Sequence, residues 1–260
     1  MGFIVNPCKG FYAKMRQYVR WHWEKICRYP PIRSRLYGME YKLYKFWVVI
    51  YGEPDATDVV IFNELPTRSP GYHTSNGCKK KYCETCRVNR IVMYLDNAKY
   101  SIDIAHFTIS HRLIYHAIVR AWDRGVELRI VTDSQMIYMR GSVVVTLCRM
   151  GIPVHAASDR LTLHHKFCII DGRKRILDLD EQEKRIHCRL WNCKGFIMTG
   201  SLNWTHQGTA NNYENVVMTS NFNVTDQYQE LYEKLWRQNP PLQTLDYLGF
   251  VDESIFGCRF

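Results

Sequence analysis

Leu163-His164-His165-Lys166-Phe167-Cys168-Ile169-Ile170-Asp171 is the stretch from which the rest of the chain can be read. It holds a histidine, a lysine two residues later and, after four apolar residues, an aspartate. An apolar run of this length, bounded by polar residues, predicts a short strand spanning Leu163–Ile170. Side chains alternate along a strand, so His164 and Lys166 are expected on one face and Leu163, His165 and Phe167 on the other. A cation is thereby held beside an imidazole, while His165 is expected to be a packed structural histidine. Cleaving a phosphodiester needs a nucleophile, positive charge for the non-bridging oxygens and an acid for the leaving oxygen. His164 and Lys166 suit the first two tasks.

Downstream, Gly200-Ser201-Leu202-Asn203-Trp204 repeats the spacing, with Ser201 and Asn203 expected on one strand face as neutral donors to phosphate oxygens. Glu214 is expected to orient a histidine by accepting its other N–H. No carboxylate cluster suited to magnesium accompanies these groups, so no catalytic metal is expected.

Around the motif the chain alternates between helical and extended patterns. Val59–Phe62 suits a buried strand, and an amphipathic stretch from residue 88 to Lys99 precedes apolar Ile102–Ile109. A helix over Leu113–Trp122, a strand over Val126–Val131, a helix over Val143–Met150 and a short strand at Ile152–His155 follow, and a closing helix begins at Phe222. Such alternation predicts an α/β fold, a sheet covered by helices. With 260 residues, one catalytic domain plus an appendage is expected.

Charge is unevenly placed. Of a formal net charge of +10, a surplus of eight sits in residues 1–52, where ten Lys/Arg face only Glu24 and Glu40. Aromatic Phe11, Tyr12, Tyr18, Trp21 and Trp23 interleave with Lys14, Arg16, Arg20 and Lys25, a composition suited to a helix lying on a membrane surface or to a polyanion. Phe46–Tyr51 is far short of the ~20 apolar residues that a bilayer crossing requires. No secretory signal is expected, and Asn6 stands where N-myristoylation wants Ser or Thr after Gly2.

Ten cysteines in such a chain point to thiols or metal ligands before disulfides. His73, Cys78, Cys83 and Cys86 offer one imidazole and three thiolates, a full tetrahedral set for a structural zinc with no open position. Cys8, Cys27, Cys148, Cys168 and Cys258 are scattered, as structural cysteines are.

Taken together, His164, Lys166, Asp171, Gly200, Ser201, Asn203, Glu214 and Asn215 resemble the signature of the phospholipase D superfamily, H-x-K-x4-D followed by G-S-x-N and a later E-N. Val59–Phe62 with Asn63-Glu64, the His/Cys insertion at 73–86, and Asn212-Tyr213-Glu214-Asn215-Val216 are similar to the Zucchini, or mitochondrial cardiolipin hydrolase, group. The likeness covers about residues 58–238, leaving 1–52 and a tail at 239–260 outside. It implies a phospholipase D-like domain with a mixed β-sheet flanked by helices, a small zinc-binding insertion and a basic N-terminal segment. In that superfamily one histidine attacks phosphorus and a second protonates the leaving oxygen and then activates water, while the aspartate ties down the strand end. A single motif implies a homodimer in which each chain contributes one His164.

The resemblance implies an endoribonuclease cleaving single-stranded RNA in piRNA production in the germ line, at the mitochondrial outer membrane. The same chemistry on a lipid would hydrolyse cardiolipin to phosphatidate. From a different class, an inactive zinc-stabilised membrane adaptor would result if the insertion after Asp171 spoiled the site. That insertion is the clearest departure from the family: 28 residues separate Asp171 from Gly200, and the charged stretch at about 173–194 is expected either to loop out at little entropic cost or to be a gene-model artefact.

Overall fold

The computed structural model describes residues 55–63, 83–157, 161–184 and 194–242. The basic segment 1–52, His73 and Cys78 of the zinc set, and residues 185–193 of the charged insertion lie outside the described residues. So does the tail beyond Leu242.

Seven strands form one mixed sheet: β1 (Thr57–Phe62), β2 (Ser101–His106), β3 (Glu127–Asp133), β4 (Val154–Ala157), β5 (Lys166–Ile170), β6 (Phe196–Gly200) and β7 (Glu214–Thr219). Their order across the sheet is β1-β7-β6-β5-β2-β3-β4. β2, β3 and β4 run parallel, and each neighbouring pair from β2 through β5, β6 and β7 to β1 is antiparallel. This antiparallel half decides where the site falls. It brings the start of β5, the end of β2, the end of β6 and the start of β7 to the same end of the sheet.

Parallel β2–β3–β4 requires crossovers, and helices α1 (Glu84–Asp96), α2 (Arg112–Asp123) and α3 (Val144–Arg149) supply the covering layer on one face. Val88, Ile91 and Leu95 of α1 and Ile114, Ala117, Ile118 and Ala121 of α2 meet Ile102, Ile104, Cys168 and Met218 in the larger core. The spacing of those helical residues is the three-and-four repeat of a buried stripe. Strand alternation sends Phe167 and Ile169 to the opposite face, where they pack with Tyr232 and with Tyr228, Leu231, Leu235 and Trp236 of the long closing helix. That helix spans Phe222–Gln238. β2 is buried along its whole length. Asp103 is consequently buried too, and it is satisfied by its register partner Arg129 through hydrogen bonds of 2.8 Å from both Nε and Nη2, with Gln229 Nε2 at 2.7 Å.

The charged insertion does not simply loop out. Its first part is helix α4 (Arg173–Gln182), which buries Ile176 and Leu179 and packs against the closing helix. Polar residues dominate its composition, but two apolar residues three apart suffice to dock a helix by one face. Two further helices complete the order: the short α5 (His206–Asn211) between β6 and β7, and α6, the long closing helix already given. Past it, Ala156 N–H donates to Pro240 O at 3.0 Å and Leu242 N–H to Val154 O at 2.8 Å, so the start of the expected tail lies along β4. Among the described residues no helix is long and apolar enough to cross a membrane.

Candidate active site

β5 begins at Lys166, so His164 precedes the strand instead of standing on it. The reason lies in where the backbone hydrogen bonds of 163–165 go. Leu163 N–H donates to the Asp133 carboxylate at 2.8 Å and His165 O accepts from Phe107 N–H at 2.9 Å, which pins this segment outside the β5–β6 ladder. Leu163 is buried and anchors the segment, leaving His164 exposed. His165 is also exposed, with its ring edge against Phe167 at 5.5 Å, and is therefore not the packed histidine that alternation predicts. Alternation fails at this position because the strand has not yet begun.

Lys166 is half-buried. Its Nζ donates to His164 O at 2.9 Å and lies 5.5 Å from the centre of the Phe107 ring, while the His164 ring meets Phe107 edge-on at 5.0 Å. Burial lowers the Lys166 pKa from its ordinary value, against an opposing pull from Glu214. The imidazole of His165 is shifted down by partial burial, then by Lys166 and His164. Lys166 and His164 thus share an aromatic floor and a local excess of positive charge, as an anion-binding site requires.

Gly200-Ser201-Leu202-Asn203 runs off the end of β6, so Ser201 and Asn203 sit in the turn after the strand and not on its face. Gly200 is required there, since a β-carbon would collide with the Asn215 carbonyl. Ser201 Oγ donates to the Glu214 carboxylate and accepts from Asn215 N–H at 3.1 Å. Asn212 Nδ2 donates to the other Glu214 oxygen at 3.0 Å. Within one chain Glu214 is thus held by a hydroxyl and an amide instead of an imidazole. Buried Asn203 Oδ1 has no hydrogen-bond partner among the described residues.

Asp171 stands at the far end of β5. Its carboxylate accepts from Lys99 N–H at 2.9 Å, Tyr100 N–H at 2.7 Å and Ser101 N–H at 2.9 Å, and its own N–H donates to Ser101 O at 2.8 Å. It closes the turn that starts β2 and takes no part in the reacting end. Two residues that sequence patterns do not single out belong to the site's frame. Asp133 holds the backbone ahead of His164. His106, the register partner of Lys166, is buried and stacked on Trp204 at 4.1 Å, and burial, then Lys166, push its pKa down to about 3. A histidine inside the apolar run Ile102–Ile109 was its one visible signal.

A comparison with family models matches residues 91–236, more than half of the chain, to "Cardiolipin synthase, PLD-like domain". The chain belongs to the phospholipase D superfamily. Within it, the Drosophila melanogaster protein named Mitochondrial cardiolipin hydrolase is 34% identical over 191 residues, covering 69% of this chain and 75% of that one. The Chlamydomonas reinhardtii protein of the same name is 30% identical over 180 residues, 66% of this chain and 69% of its own length. Among solved structures, Nuc from Salmonella typhimurium, a phospholipase D family member, aligns with a TM-score of 0.52 at 21% identity, covering 73% of this chain and 99% of its own. NucT from Helicobacter pylori aligns with a TM-score of 0.51 at 17% identity over 73% of this chain and 100% of its own. At those identities the structural likeness establishes the fold. As a member of the phospholipase D superfamily the chain is a phosphodiesterase.

Of the expected zinc set, Cys83 stands at the N-cap position of helix α1, without a side-chain capping bond, and Cys86 lies in its first turn, both half-buried. Three residues apart, they share one side of the turn, and a helix N-terminus favours thiolates, so this pair fits half of a Cys3His site. Cys168 is buried and Cys148 half-buried; burial raises both thiols, as inert core cysteines require.

Proposed function

We propose that the phospholipase D-superfamily enzyme acts as a homodimer on single-stranded RNA, with His164 of one chain as nucleophile and His164 of the second chain as acid. The observation that supports it is the convergence of one histidine, one lysine and one serine/asparagine turn at a single end of the sheet, which is half of a double-displacement site. The His164 nitrogen forms a bond to phosphorus while the bond from phosphorus to the 3′ oxygen breaks, and that oxygen takes the proton of the second histidine. Water then attacks phosphorus, its proton passes to the second histidine, and the phosphorus–nitrogen bond breaks. Lys166 and the Ser201–Asn203 turn balance charge on the non-bridging oxygens, so the reacting centre needs no metal. Products carry a 5′-phosphate and a 3′-hydroxyl.

A second substrate is favoured by the names of the relatives: cardiolipin, hydrolysed to phosphatidate by the same two steps. Those names also support a place at the mitochondrial surface, with the basic segment 1–52 on an anionic membrane. We propose a structural zinc on His73, Cys78, Cys83 and Cys86. The test is turnover of single-stranded RNA, duplex RNA and cardiolipin vesicles in parallel. Single-stranded RNA should be cut and duplex spared. Turnover of cardiolipin alone would replace the RNA assignment, and no turnover of any substrate would leave the inactive adaptor.

A further inference from the structure

Outside the active site, three side chains from three segments converge: Glu84 in the first turn of α1, His111 at the N-terminal boundary of α2, and His206 at the start of α5. One potential ligand atom from each lies within 4.8 Å of the other two. His206 Nδ1 stands 3.4 Å from Glu84 Oε1, which also accepts a 2.6 Å hydrogen bond from Thr209 Oγ1. His111 is 7% exposed, and its Nδ1 is buried with no hydrogen-bond partner among the described residues. A buried polar nitrogen without a partner is costly, and the interior rarely leaves one so.

We propose that Glu84, His111 and His206 bind one divalent transition-metal ion of the zinc class. Two imidazoles and one carboxylate make a donor set that zinc accepts while keeping a fourth position for water, and imidazole donors disfavour magnesium and calcium. Tetrahedral bonds of about 2.0–2.1 Å put ligand atoms about 3.3 Å apart. The approach required is small, and His206, with a side chain 78% exposed, is free to make it. Coordination through Nδ1 of His111 would give that buried nitrogen the partner it lacks among the described residues.

The site's position gives the ion a use. Ser110 and His111 N–H both donate to Trp204 O at 2.8 Å, Thr205 caps α5, and Trp204 directly follows Asn203. An ion joining His111 to His206 clamps both sides of the turn that presents Ser201 and Asn203, and ties them to α1. The role is structural and distinct from the thiolate set: Glu84 lies between Cys83 and Cys86 in sequence, but among the described residues no cysteine sulfur joins the trio.

The test uses the full chain, stripped of metal by chelation and titrated with Co2+. Wild type should take up one equivalent whose visible absorption lacks thiolate charge-transfer character. Both His206→Ala and Glu84→Gln should lose that equivalent, or bind it at least tenfold more weakly, while any thiolate-type band is unchanged. Because His206 is exposed, its alanine variant tests binding without disturbing the core. In parallel, Zn2+ should raise the thermal midpoint of wild type more than that of His206→Ala. Equal cobalt stoichiometry, affinity and spectra in all three proteins would overturn the site, as would a wild type that binds cobalt only through sulfur.

Discussion

The two ends of β5 treat their charged residues in opposite ways. At one end Asp171 is buried, with three backbone N–H groups on its carboxylate. At the other, His164 is exposed and Lys166, among the described residues, meets a carbonyl and an aromatic face, with Glu214 acting on it by charge. A carboxylate that accepts three backbone N–H bonds, on both of its oxygens, is an anchor, because its hydrogen-bonding capacity is spent mainly on holding the chain. A lysine short of partners and depressed by burial is a receiver, because an incoming phosphate oxygen meets an unmet need. Five residues of strand connect an immobile end to a reactive one.

Breaking the reactive end should have the largest effect. His164→Ala should lower turnover by at least about 10³-fold, equivalent to about 4 kcal/mol, with a wild-type circular dichroism spectrum. In co-expressed equal mixtures with random pairing, about a quarter of dimers are fully wild type, so activity should fall to about 25% of a wild-type sample. Independent monomeric sites would keep about half, and that value, with chain exchange verified by differential tags, would remove the shared site.

Next in size is the anchor. Asp171→Ala removes three charge-assisted hydrogen bonds, the one from Ser101 N–H fully buried and those from Lys99 and Tyr100 N–H part-buried, which should cost about 3–5 kcal/mol of unfolding free energy. Urea denaturation measures it. Turnover of the fraction that remains folded should change far less than in His164→Ala; equal losses of turnover would show that Asp171 is chemical and not structural.

The buried histidine beside the reactive lysine gives a smaller, pH-dependent effect. His106 faces Lys166 on β5, hydrogen-bonds to the Thr108 backbone and stacks on Trp204. Its folded pKa of about 3 lies below the ordinary 6.5, so the fold holds it neutral. Above 6.5 it is neutral in both states and contributes no pH slope. As pH falls from 6.5 toward 3, the unfolded chain takes the proton first and stability is lost at ~1.4 kcal/mol per unit. Between about pH 7.5 and about pH 4.5, His106→Leu should therefore lose about 2–3 kcal/mol less than wild type. Parallel pH profiles for the two proteins would refute a neutral buried imidazole.

How far the sequence reveals this contrast depends on what each residue's role is made of. His164, Lys166 and Asp171 were legible because fixed spacing within one short segment survives in one dimension. β1, β2, β3 and the closing helix were legible from apolar period. The start of β5 was not, because Leu163 and His165 continue the alternating pattern while their backbone bonds go to Asp133 and Phe107, 30 and 58 residues away in sequence. α4 was missed because its docking needs only Ile176 and Leu179 in an otherwise charged stretch. Glu84, His111 and His206 share no local spacing, and only the fold brings them together.

The smallest expected effect tests whether burial, and not charge, is what makes an anchor. Lys174 and Glu230 form an ion pair between α4 and α6, three residues beyond Asp171, with side chains 38% and 70% exposed. Both groups remain hydrated, and holding two long side chains in one geometry offsets most of their attraction. Lys174→Ala should therefore cost no more than about 0.5 kcal/mol by urea denaturation, with the wild-type pair losing its small contribution in high salt. Ile176→Ala, on the buried side of the same helix, should cost about 2–5 kcal/mol. If Lys174→Ala proved as costly as Ile176→Ala, α4 would be held by its charges, and the distinction drawn between the buried carboxylate of Asp171 and the solvated charges around it would fail at the nearest place where it can be measured.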